Sequence, residues 1–255
     1  HRDLRGAQGG QGVDRASGRA FVNNRFRFDD DTFVCLVAFD SFSFVQRKNP
    51  VSVLRAFQQA FDGVPNARLV VKTQNRDSVF DPVQMQLWDR VDTITASDPR
   101  IVVMNETLSY HDLLKLKAGS DVYLTLHKSE GWGFGMIEAM NLGVPVVATG
   151  YSGNMDFCTE DTAWLVDYQI KPLQKGDYIF VRPESAWAEP SVDHAAAQLR
   201  ACYDNPEERN RRARAAADKI HRDFSPEAIA RRYGGRLHEI LSALDARTAK
   251  EKADR

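Results

Sequence analysis

The sequence predicts an α/β fold, a parallel sheet with helices on both faces, and three observations carry that prediction. Short runs of β-branched and apolar residues recur along the chain, amphipathic helical patterns lie between them, and the length of 255 residues suits one large α/β unit. The first run is 32–39 (TFVCLVAF), and 67–72 (ARLVVK), 101–104 and 122–126 repeat its character, so each reads as a buried strand. Between them, 50–61 puts Leu54, Phe57 and Phe61 on one helical face, and 109–118 opens with Ser109 and Asp112 as a capping pair. Residues 134–142 read as a short helix, 144–148 (VPVVA) as a fifth strand and 163–166 as a sixth. This alternation is that of a Rossmann-like domain.

From Ser191 the pattern turns helical to the end, with breaks at Asn205-Pro206 and Ser225-Pro226, each read as an N-cap followed by a first-turn proline. Three helices are therefore expected to close the chain, the last kinked at Gly234-Gly235. Residues 1–28, with Gly6, Gly9, Gly10, Gly12 and Gly18 among Arg, Gln and Asp, read as a linker or flexible lead-in to a domain at 29–255. The opening His1-Arg2-Asp3-Leu4 has neither an initiator Met nor an apolar signal region, so a piece of a longer polypeptide is expected.

With Lys+Arg 34 against Asp+Glu 35, the chain lacks the basic excess that duplex binding needs, and no nucleic acid partner is expected. Cys35, Cys158 and Cys202 match neither a disulfide framework nor a zinc motif, which points to a reducing, cytoplasmic setting. No apolar run approaches ~18 residues, so no spanning helix is expected. The cationic run 209–214 (RNRRAR) is the one feature compatible with peripheral contact at an anionic membrane, and its ordinary reading is a solvated helix face.

Chemistry concentrates in 129–157 (SEGWGFGMIEAMNLGVPVVATGYSGNMDF). A strand ends, a loop carries Gly131, Gly133 and Gly135, and a helix starts at once, so backbone N–H groups and a helix dipole face the carboxyl edge of the sheet as an anion cradle. Glu130 and Glu138 flank that loop. A carboxylate accepts from both hydroxyls of a vicinal diol, so this pair suits the sugar and the ribose of a nucleotide sugar whose diphosphate lies on the amides between them. Glu138 reads equally as a first-turn acid complementing the dipole. Arg47 and Lys48 stand beside the helix opening at Pro50, with Asn49 as its expected cap, where cations and dipole together favour a diphosphate; the alternative is a solvated basic turn. His127 at a strand end is a further pocket candidate, and its ordinary reading is a polar residue that only bonds the backbone. The Asp-x-Asp in Asp29-Asp30-Asp31 precedes the first strand, at the edge away from the crevice, and reads as an acidic turn, so no metal is implied. A dehydrogenase is disfavoured because 36–50 contains no glycine where a G-x-G-x-x-G would lie.

The stretch Glu130-Gly131-Trp132-Gly133-Phe134-Gly135-Met136-Ile137-Glu138, continuing AMNLGVPVVAT, resembles the signature of glycosyltransferase family 4, and the likeness runs from about Thr32 to the last helix. It includes the Trp187-Ala188-Glu189-Pro190 segment of a bacterial subgroup that builds surface polysaccharides. The resemblance implies the donor-binding C-terminal half of a GT-B fold, a retaining hexosyl transfer without a cofactor or metal, and a UDP- or GDP-sugar donor. It implies Glu138 on the ribose, Glu130 on the transferred sugar, the amides of Gly133, Phe134 and Gly135 on the diphosphate or sugar, and Gly153 and Asn154 in a loop lining the sugar pocket, a plain turn being the alternative for these two. The family's arginine and lysine, five residues apart, fall on Ser43 and Lys48; the lysine carries over, the arginine does not, and Arg47 stands beside it as the substitute. A glycan or lipid-linked acceptor would be seated by an N-terminal domain that these residues lack, so donor binding without efficient transfer is expected. The rival reading is a nucleotide-sugar-binding module without activity.

Overall fold

The computed structural model describes residues 12–253. Six strands form one parallel sheet: β1 (Phe33–Ala38), β2 (Ala67–Thr73), β3 (Ile101–Asn105), β4 (Val122–Thr125), β5 (Val146–Thr149) and β6 (Trp164–Val166), in the order β3-β2-β1-β4-β5-β6. These are the six expected strands, and the order reverses between β1 and β4. That reversal opens a crevice at the carboxyl ends of the two strands, where doubly wound sheets bind ligands.

Each strand is apolar on both sides because helices cover both faces. In β1, Phe33, Cys35 and Val37 join one core with Leu54 and Phe57 of α3 (Pro50–Ala60) and Leu199 of α7 (Val192–Asp204). Val34 and Leu36 point the other way, into a second core with Leu116 of α5 (Tyr110–Gly119), Ile137 of α6 (Phe134–Asn141) and Ile220 of α8 (Pro206–Phe224). The strand period of two thus assigns alternate residues to separate cores.

Residues 12–28 depart from the expected lead-in; residues 1–11, with three of the glycines that suggested it, lie outside the described residues. Arg15–Phe26 forms α1, opened by a reciprocal cap in which Asp14 accepts from the Ser17 N–H at 2.7 Å. Gly18 is a packing residue: a Cβ there would meet the Gly119 nitrogen of α5 at 2.5 Å, so the two helices touch backbone to backbone. Arg19 reinforces the contact with Asp121 at 3.1 Å. The Asp29-Asp30-Asp31 turn ties into the same corner, Asp30 accepting from Asn23 at 2.7 Å and Asp31 from Asn66 at 2.9 Å.

A helix and a hairpin were also not legible in the sequence. Helix α4 (Pro82–Ser97) buries only Gln84, Trp88 and Val91, so its inward stripe begins with a polar residue, whose Oε1 accepts from the Val45 N–H at 3.0 Å. An antiparallel hairpin, β7 (Tyr168–Pro172) with β8 (Ala186–Pro190), holds the Trp187-Ala188-Glu189-Pro190 segment. At the end of the chain, α7, α8 and α9 (Pro226–Ala253) are the three expected helices, with prolines opening the last two. Ser225 caps by accepting from the Ala228 N–H at 3.1 Å, whereas Asn205 donates back to the Ala201 carbonyl and does not cap. Helix α9 runs on through Gly234-Gly235, where the kink is expected. Among the described residues no helix is long and apolar enough to cross a membrane.

Candidate functional site

The crevice between β1 and β4 gathers Arg47, Lys48 and Glu130. The chain leaves β1 through a tight turn at Ser41–Ser43, where Asp40 accepts from the Phe42 N–H at 2.9 Å, and enters the one-turn helix α2 (Val45–Lys48). Asn49 follows in the left-handed region (φ 54°). Its side chain does not cap α3 as expected: Nδ2 reaches across to the Leu126 carbonyl at 3.0 Å and fastens α2 to the end of β4. The Lys128 N–H donates to the Arg47 carbonyl at 2.7 Å and adds a second tie.

That fastening aims both cations at one carboxylate. Lys48 Nζ lies 2.9 Å from each oxygen of Glu130, and Arg47 donates to Oε2 at 2.6 Å and to the Ser129 carbonyl at 3.1 Å. Arg47 Nε is in turn held by the Ser43 carbonyl at 2.8 Å, so Ser43 contributes a backbone oxygen that orients the guanidinium. All three charged side chains are largely buried. Burial pushes the Lys48 ammonium below the ordinary lysine range, with Arg47 adding to the effect and Glu130 opposing it. For Glu130, burial favours the neutral acid, but Lys48 and Arg47 together outweigh it and hold the carboxyl below the usual range. Glu130 is therefore ionised at neutral pH.

The loop carrying Glu130 is pinned from behind. The Gly153 N–H donates to the Glu130 carbonyl at 3.1 Å and Ser152 Oγ accepts from the Glu130 N–H at 2.9 Å. Ser152 adopts φ 76°, a region costly for a residue with a side chain. A Cβ on Gly153 would lie 2.0 Å from the Gly131 carbonyl oxygen, so only glycine fits. His127 and Asn154, expected as pocket groups, form the buried latch beneath this turn: Asn154 Nδ2 donates to the Thr149 carbonyl at 3.0 Å, which leaves its oxygen to accept from His127 Nε2 at 3.0 Å. Burial drives the His127 pKa down against the pull of the Tyr151 carbonyl and Glu130, so the ring is neutral.

Beyond the loop, Gly133 (φ 90°) starts α6, and the glycine loop faces a cleft walled by Lys48, Glu130, Gly133, Gly135 and Tyr123. Gly135 leaves room for the Tyr123 hydroxyl, which donates to the Ala38 carbonyl at 3.0 Å; a Cβ would meet that hydroxyl at 2.3 Å. Phe134 projects outward, 60% exposed. Glu138 is engaged separately: it pairs with Lys117 and accepts from the Tyr110 hydroxyl at 3.0 Å. Lys117 is nearly inaccessible, and burial pushes its pKa down with Glu138 opposing; the Tyr110 hydroxyl is pushed up to about 12, first by burial and then by Glu138. Tyr110 and Lys117 were missed, although their seven-residue spacing on one predicted helix places them on one face. Among the described residues no group of three or more His, Cys, Asp or Glu side chains is arranged to hold a metal.

The model of the family described as glycosyl transferases group 1 matches residues 37–175, from the end of β1 to the hairpin. No curated protein matches the sequence. Among solved structures, sucrose-phosphate synthase from Thermosynechococcus elongatus superposes with a TM-score of 0.65 at 17% identity, over 90% of this chain and 51% of that one. HepE from Anabaena, solved in complex with UDP and glucose, gives 0.62 at 15% identity, over 88% and 54%. The C-terminal domain of LpcC, a glycosyl transferase group 1 family protein from Francisella tularensis, gives 0.58 at 15% identity, over 84% of this chain and 100% of that one. The chain thus spans about half the length of the first two and has the fold of the C-terminal half of GT-B glycosyltransferases. With 139 of its 255 residues inside the matched region, the chain belongs to the glycosyl transferases group 1 family.

Proposed function

We propose that the chain is the donor-binding part of a retaining glycosyltransferase that moves a hexosyl group from a nucleoside diphosphate sugar to an acceptor hydroxyl. The observation that carries the reading is the convergence of Lys48, Arg47 and Glu130 at the switch point of the sheet, beside the N-terminus of α6. In this structure the Glu130 carboxylate occupies the two cations. A diphosphate, with more charge and more acceptor oxygens, would take its place there, and Glu130 would turn to the hydroxyls of the transferred sugar. Charge growing on the departing phosphate would then be met by Lys48, Arg47 and the loop amides, a preorganised electrostatic stabilisation that needs no divalent ion. Glu138 would hold the ribose, steadied by Lys117.

The UDP and glucose bound by HepE support a UDP-sugar as the donor, and a GDP-sugar is the alternative to test beside it. The acceptor, a glycan or lipid-linked glycan of surface polysaccharide synthesis, would be seated chiefly by residues beyond this chain, and the setting would be cytoplasmic, at or near the membrane face. The test is a panel of UDP-, GDP- and ADP-sugars read by thermal shift in EDTA and in Mg²⁺. A ligand at ~100 times its dissociation constant adds about 2.7 kcal/mol of stability, well within detection. The reading expects one nucleotide class to stabilise the chain equally with and without Mg²⁺. A strict Mg²⁺ requirement, or no response to any of the three, would overturn it.

A further inference from the structure

A second cavity, of about 320 Å³, lies between α3, α4 and the β7–β8 hairpin, and the glycine loop and Glu130 take no part in it. Its wall includes Gln46, which is only 7% exposed and whose amide oxygen and nitrogen both lack a hydrogen-bond partner among the described residues. A buried amide left unpaired on both atoms is unusual, since such groups normally find partners. Arg55 from α3 and Arg90 from α4, both exposed, also line the cavity, and among the described residues neither has a carboxylate partner. The acidic groups nearby are already engaged: Glu189 with Lys128 at 2.6 Å, and Asp177 with the Gln174 N–H at 2.6 Å.

Trp187 supplies an apolar wall, and Lys128 lies 4.7 Å from its ring centroid. The same tryptophan borders a neighbouring hollow of about 380 Å³ that it shares with Arg47, Ser129 and Gly131. Trp187 is thus common to the walls of both hollows.

These groups specify a ligand chemistry. Two unpaired guanidinium groups call for a carboxylate or phosphate, an amide offering donor and acceptor together suits a hydroxyl, and an indole suits the apolar face of a ring. A uronic acid sugar combines all three. We propose that this cavity is a subsite for an acidic saccharide unit, its carboxylate toward Arg55 and Arg90, a hydroxyl toward Gln46 and a ring face toward Trp187. The inference rests on the glycosyl-transfer reading in identifying the ligand as part of a glycan.

The experiment titrates the ¹⁵N-labelled full chain separately with D-glucuronate, D-glucose, inorganic phosphate and UDP, following the indole N–H of Trp187, assigned by its loss in Trp187→Phe. Glucuronate should shift that signal saturably, at least tenfold more tightly than glucose or phosphate. In Arg55→Gln/Arg90→Gln its affinity should fall about tenfold, and in Gln46→Leu several-fold, while UDP still binds both variants as it binds the parent chain, which reports an intact fold. Equal binding of glucose would remove the role of the arginines, and equal binding of phosphate would reduce the cavity to a bare anion site; either overturns the proposal, as does indifference to the double substitution. The UDP arm reports separately on the crevice: loss of UDP binding with glucuronate binding intact would sink the donor reading and leave this subsite standing.

Discussion

Glu130 and Glu138 are the same residue type eight positions apart, yet the molecule treats them in opposite ways. Glu130 rides on a loop, pinned behind by Gly153 and Ser152 and faced by two cations from α2. Glu138 rides on a helix and pairs with Lys117, whose side chain is 3% exposed. The first arrangement is an ion cluster at a crevice; the second is a fixed support. A carboxylate whose cations also suit a phosphate can move between partners, whereas one that neutralises a buried lysine cannot leave without cost.

The largest effect expected from this contrast is on stability. Glu138→Ala leaves Lys117 buried without its partner and should cost about 3 kcal/mol in denaturant unfolding, in the range for breaking a buried pair. Adding Lys117→Met should recover most of that loss without recovering nucleotide affinity. A double variant that binds UDP as the parent does would reduce Glu138 to a structural acid.

The next effect is on binding. Lys48→Ala should weaken UDP by roughly 1.5–3 kcal/mol, the range for a charged hydrogen-bonding group, with the fold retained because Arg47 still faces Glu130. Calorimetry decides this, and unchanged affinity would remove Lys48 from the site. Gly153→Ala comes third. Its Cβ has no room beside the Gly131 carbonyl, so about 1–3 kcal/mol of strain should appear as lower stability together with weaker UDP binding. Lost stability with binding intact would show that the pin does not position Glu130.

Much of this was readable from the chain. Arg47, Lys48 and the glycine loop were legible because local spacing alone puts each beside a helix start. Lys117 and Tyr110 carry the same kind of signal, but it emerges only when the helix at 109–118 is read for its face as well as its cap. Other features depend on contacts distant in sequence. Gly18 reads as linker until Gly119 is placed against it, and Asn49 reads as a cap until the end of β4 comes within reach. His127 looks like a pocket group because it is polar and at a strand end, and Asn154 because its turn resembles a pocket-lining loop, and only burial reveals them as a latch.

The smallest predicted effect separates that latch from the ion cluster by pH. The folded-state pKa of His127 is depressed, so the unfolded chain binds the proton more readily, and the latch's contribution is present above about pH 6.5 and fades as pH falls below it. Glu130 is also depressed, and for a carboxylate the contribution is present above about pH 4.3 and fades only below that. His127→Gln should therefore flatten the stability profile between about pH 6.5 and 5 without touching the steeper acid limb. Loss of the acid limb instead would reverse the assignment.

The central claim is that Glu130 holds the place a diphosphate takes on Lys48 and Arg47, and the most direct measurement is UDP affinity by calorimetry, in EDTA, for the parent chain and for Glu130→Gln. Removing the competing charge frees both cations, so the variant should bind UDP about threefold to tenfold more tightly than the parent, a gain of roughly 1 kcal/mol. A folded Glu130→Gln variant that binds UDP tenfold more weakly than the parent would contradict the exchange.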